Sequence, residues 1–170
     1  ILTLNNAGQV LGTSAVEGAV NTGSAAAVTN QSTGIISGVG FGINAGTRAT
    51  VDNSGAISAT GASGVAVSAD ALDVINRAAG TISGASGIRA TDAVNVTNAG
   101  SILANGLNGN GIKAGIVTVN NSGTIAANGI AGVGIRADQA DVINSGDISG
   151  INGILVGTAT VINSGTISTG

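Results

Sequence analysis

The triplet Val-x-Asn returns at near-constant spacing along the chain, and Gly-x-Ile follows most of its copies. The anchoring asparagines are Asn6, Asn30, Asn53, Asn76, Asn98, Asn121, Asn144 and Asn163, separated by 24, 23, 23, 22, 23, 23 and 19 residues. Self-similarity at a period between about 20 and 50 residues is the signature of a solenoid, in which each repeat buries its apolar face against its neighbours. A second element, Gly-Ile-x-Ala, keeps the same beat. It reads Gly42-Ile43-Asn44-Ala45, Gly64-Val65-Ala66-Val67, Gly87-Ile88-Arg89-Ala90, Gly111-Ile112-Lys113-Ala114, Gly134-Ile135-Arg136-Ala137 and Gly153-Ile154-Leu155-Val156.

Within each element the apolar residues alternate. Val119 and Asn121 share a parity, as do Gly123 with Ile125 and Ile135 with Ala137. A period of two means strand, with successive side chains on opposite faces. The strands are expected to be three to five residues long, with Gly and Asn making sharp corners at positive φ. Val65 to Ala79 lacks glycine and offers a foothold for a helix. Its β-branched residues disfavour that, and it contains the repeat unit Val74-Ile75-Asn76.

Stacked coils place equivalent residues in columns about 4.8 Å apart. One apolar column is Val28, Val51, Val74, Val96, Val119, Val142 and Val161; another is Ile36, Ile57, Ile82, Ile102, Ile125, Ile148 and Ile167. Asn30, Asn53, Asn76, Asn98, Asn121, Asn144 and Asn163 share the inward parity of the Val column. Their amides are expected to hydrogen-bond along the axis at the edge of the core, offsetting the cost of burying a polar group. The predicted fold is an all-β, right-handed parallel β-helix (β-solenoid) of about eight coils, roughly 38 Å long. Asn30 to Gly34 and Asn76 to Gly80 each carry two extra residues and are expected to be corner insertions.

Composition agrees with a narrow layered interior. The chain is 43% hydrophobic and 8% charged, which argues against solvated disorder, yet Phe41 is its single aromatic residue. The core must therefore come from Val, Ile, Leu and Ala. Cysteine is absent, no run of 18 apolar residues occurs, and no signal peptide is visible. The chain starts and stops inside repeats, so residues 1–170 are expected to form a single β-helix segment of a longer repeat chain. A net charge of −3 excludes a generally nucleic-acid-binding surface.

The run Asn-Ser-Gly-x-Ile at Asn53, Asn121, Asn144 and Asn163, with variants at Asn6 and Asn98, is joined to the Gly-Ile-x-Ala element. Together they resemble the repeats of autotransporter passenger domains and related large Gram-negative surface adhesins. The resemblance covers essentially the whole chain. It implies an extracellular stalk on the bacterial cell surface, exported across the outer membrane. Host or matrix surface molecules or glycans are the expected partners, and the family supplies no catalytic motif. Bare β-helix ends present unpaired strand edges, so end-to-end self-association into a filament is the alternative.

Three basic residues, Arg89, Lys113 and Arg136, occupy one place in successive Gly-Ile-x-Ala elements. They are candidate polyanion contacts on the outer face, against the plainer role of solvated positions that keep a rod soluble. Ala66 and Leu155 flank them by this alignment, and Asp92 and Asp138 lie downstream as neutralising partners. Catalysis is not expected. Asp70 and Asp92 are the best-placed carboxylate pair, and Asp73 and Asp141 share a column three coils apart. Glu17, Asp52, Asp138 and Asp147 are scattered. No histidine or cysteine is present for zinc, the glycine-rich calcium nonapeptide is absent, and no cofactor is expected. Thr124 and Thr166 begin an outward Thr column that Ala56, Ser101 and Asp147 interrupt.

Overall fold

The computed structural model describes residues 1–170 as a parallel β-solenoid with no helix. About seven turns of roughly 23 residues run between the eight asparagine rungs. Every strand pairing is parallel. One eight-stranded sheet carries the Gly-x-Ile elements, and an eleven-stranded sheet carries the Gly-Ile-x-Ala and Val-x-Asn elements.

The Val and Ile columns form as expected. Val28 pairs with Val51, Val51 with Val74, Val74 with Val96, and so on to Val161. Ile36, Ile57, Ile82, Ile102, Ile125 and Ile148 are completely buried in a column of their own. Each such isoleucine contributes about 1.5–3 kcal/mol of burial. A further inward column is built of small residues: Ala45, Ala69, Ala90, Ala114 and Ala137 are all buried. The buried core is built of Val, Ile, Leu and Ala, with no aromatic ring in it.

Three features differ from the sequence-based expectation. First, the strands are longer. Val65–Asn76, Ser86–Asn98, Val133–Asn144 and Asn152–Asn163 each join two elements into 12 or 13 residues, because parallel pairing resumes on both sides of the bend, across a shift of register at Thr91 and Asp92 in the first pair. Second, no residue has positive φ, glycine included. The corner glycines serve close approach instead. A Cβ on Gly55 would overlap the Gly34 carbonyl oxygen, one on Gly123 that of Gly100, and one on Gly146 that of Gly123. These carbonyls accept from the backbone N–H one coil along, as in Ala56 N to Gly34 O at 2.9 Å and Thr124 N to Gly100 O at 2.9 Å.

Third, the third coil is offset by two residues from the motif alignment. Val67, and not Val65, pairs with Ile43 and Ile88. The column position opposite Gly42 and Gly87 is therefore held by Ala66. Gly64 belongs to the corner, where its N–H donates to Gly61 O at 2.9 Å. The two expected corner insertions close as tight turns, Gly34 N to Gln31 O at 2.8 Å and Gly80 N to Arg77 O at 2.7 Å.

Candidate functional site

Two columns of side chains carry the polar chemistry of this rod, one inside and one outside. The inner column is the asparagine ladder. Asn6 Nδ2 donates to Asn30 Oδ1 at 2.9 Å, Asn30 to Asn53 at 2.8 Å, and Asn53 to Asn76 at 2.8 Å. Asn76 donates to Asn98 at 2.8 Å, Asn98 to Asn121 at 2.7 Å, Asn121 to Asn144 at 2.7 Å, and Asn144 to Asn163 at 2.8 Å. Each amide also donates to the glycine carbonyl of its own corner, Asn53 to Gly55 at 3.0 Å and Asn76 to Gly80 at 3.1 Å.

These asparagines are not at the edge of the core: Asn53, Asn98 and Asn121 are 0% exposed. Full burial is tolerable because each amide from Asn6 to Asn144 donates to its own corner and to the next coil, while Asn163 at the last rung is exposed. All seven links donate in the same direction, so the amide dipoles add head to tail and polarise one another. The ladder fixes register. A slip by one residue would bring outward-facing residues such as Ile75 and Ile143 against the amides and break the ladder.

The outer column holds Arg89, Lys113 and Arg136. Arg89 pairs in register with Lys113, and Lys113 with Arg136. All three are exposed. The column continues through Ser68, Asn44 and Asn21 in one direction and Leu155 in the other. Ser68 thus stands where the motif alignment placed Ala66. Asp92 and Asp138 form no ion pair with the column. The Arg89 guanidinium lies 5.7 Å from the centroid of the Phe41 ring.

The chain's ion pairs lie elsewhere. Arg77 grips Asp52 with Nε at 2.7 Å and Nη2 at 2.6 Å, and the hydrogen bonds and charge of Asp52 hold the guanidinium pKa above its usual value. Arg48 pairs with Asp73, which also accepts from Asn95 at 2.9 Å. Both pairs join residues 25 apart, one period plus two, a spacing visible in the sequence that the motif alignment passed over.

The carboxylates do not converge. Asp70 faces a shift of register at Thr91 and Asp92, and no set of three metal-ligating residues gathers anywhere. Asp73 and Asp141 share a column with Asn95 and Thr118 between them. A groove of about 340 Å³ opens between Ala62–Ser63, Ala85–Ser86 and Gly106–Gly109 on successive coils. Its lining is uncharged and includes the exposed Leu107. The outward column Ala56, Thr81, Ser101, Thr124, Asp147 and Thr166 is of mixed composition, as the sequence implied.

No protein-family model, curated protein or solved structure matches the chain.

Proposed function

We infer that this chain is a stretch of right-handed β-helical stalk from a secreted, adhesin-like protein of a bacterial cell surface, with a mechanical role and no catalytic one. The observation that carries this reading is the unbroken coil-to-coil bonding. Seven asparagine links and continuous parallel ladders run along the axis, and no long excursion interrupts them. Bending such a rod requires stretching hydrogen bonds on one side, so it holds other parts of its parent at a distance from the cell. The repeated Asn-Ser-Gly-x-Ile unit and its likeness to autotransporter passengers support the extracellular placement.

Immunogold electron microscopy of the source cells tests the reading. Single rods fixed at one end to the outer membrane are expected. Long free fibres, with coils continuing from chain to chain, would instead make this a self-assembling filament subunit. Label confined to the cell interior would refute both.

A further inference from the structure

We propose that the column Arg89, Lys113 and Arg136 binds a linear anionic polysaccharide laid along the axis of the rod. This inference is independent of the stalk reading, because it concerns one face of the solenoid whatever the solenoid supports.

The chain has five basic residues. Arg48 and Arg77 are neutralised by Asp73 and Asp52 on adjacent coils. The remaining three stand in register on consecutive rungs of one sheet, exposed and without an ion pair. Like charges directly opposite one another on neighbouring strands are destabilising. With rungs about 4.8 Å apart, the arrangement spans about 10 Å and repels itself until an anion lies across it. The nearest acids in sequence, Asp92 and Asp138, leave the column unpaired.

The surroundings specify the kind of anion. Arg89 is braced over the Phe41 ring, which orders its guanidinium before any ligand arrives. Beyond Arg89 the same column passes the buried Ser68 and presents the half-buried Asn44 and the exposed Asn21, neutral side chains that donate and accept. Asn44 already donates to Asn21 at 3.1 Å, which leaves the Asn21 amide protons for a ligand. A strip with cations at one end and hydroxyl-matching groups at the other suits a sugar chain bearing both sulfate or carboxylate and free hydroxyls. A single-stranded nucleic acid would need aromatic platforms for its bases, and the one ring is occupied by Arg89.

The test uses the intact chain on immobilised polysaccharides at two salt concentrations. Dextran sulfate presents sulfate, polygalacturonate presents carboxylate, and unmodified dextran is the control. Binding to either charged polymer and not to dextran is expected, and which one binds identifies the anionic group. The triple variant Arg89→Gln, Lys113→Gln, Arg136→Gln should bind about tenfold more weakly or worse, with a flattened salt dependence. Those side chains are exposed, and an unchanged circular-dichroism spectrum shows that the fold is retained. The variant Asp92→Asn, Asp138→Asn should bind more tightly than the parent. The proposal is overturned if the parent binds neither charged polymer, if the triple Gln variant binds as well as the parent, or if a single-stranded oligonucleotide binds as tightly as the polysaccharides.

Discussion

Neighbouring asparagines on one strand offer a direct test of the ladder. Asn120 and Asn121 are adjacent, yet Asn120 is exposed and makes no side-chain hydrogen bond, whereas Asn121 is 0% exposed. The Asn121 amide donates to Asn144 Oδ1 at 2.7 Å, to Gly123 O at 3.1 Å and to Asp147 O at 3.2 Å, and it accepts from Asn98 at 2.7 Å. Asn121→Ala leaves the buried Asn144 oxygen without its donor, at about 1–3 kcal/mol. Asn98 loses its shortest acceptor but keeps Gly100 O and Thr124 O, which limits that loss to about 1 kcal/mol. The space vacated by the amide adds a cavity cost, bringing the total to about 3–5 kcal/mol. Asn120→Ala should stay within about 0.5 kcal/mol of the parent. Denaturant unfolding followed by circular dichroism measures both. Equal losses in the two variants, or a loss under about 1 kcal/mol at Asn121, would refute the ladder as a source of stability.

Further consequences are open to the same assay. Asn121→Asp places a carboxylate against the Asn144 oxygen, and burial raises its folded pKa above the unfolded value. Relative to the parent it should be most stable in acid and lose stability as pH rises through the ordinary aspartate range towards that raised value; the opposite trend would show the site to be hydrated. Gly123→Ala drives a Cβ into the Gly100 carbonyl and should cost about 1–3 kcal/mol, whereas Gly23→Ala, with open space around it, should be near neutral. Ile102→Ala, between the buried Ile82 and Ile125, should cost about 2–5 kcal/mol, and a smaller loss would mean that the coils close over the gap. A double-mutant cycle on Arg48 and Asp73, both partly exposed, should give a coupling of about 0.2–1 kcal/mol that fades in molar salt.

Much of the architecture was legible because two motifs kept one period. Val28 to Val161, Ile36 to Ile167 and the asparagines could be placed in columns from spacing alone, since stacking turns a sequence period into contact. The offset at Ala66 was not legible. Glycine serves two purposes here, in the wall where a neighbouring carbonyl comes close and in the corner as at Gly64, and a motif match cannot tell them apart. Only the pairing of Val67 with Ile43 and Ile88 decides it. The same ambiguity hid Ser68 beside Arg89. Burial of the asparagines was underestimated because the donors that make it tolerable, to corner carbonyls as well as to the next amide, arise only when the corner closes. The column of Arg89, Lys113 and Arg136 was visible in the sequence. Its lack of counter-ions was not, because closeness in sequence put Asp92 and Asp138 near the column while only the folded geometry leaves them out of ion pairs with it.

The solenoid requires coils stacked in register, and spin-label distances along one outward column test that most directly. Thr29, Thr97, Asn120 and Ile143 are exposed members of a single column, three, four and five rungs along from Thr29. Nitroxide pairs from Thr29 to Thr97, Asn120 and Ile143 should show mean separations of about 14, 19 and 24 Å, rising in equal steps of one strand spacing. Narrow distributions at all three would establish a stiff in-register stack. Distances that fail to climb with rung number would contradict the solenoid and everything built on it.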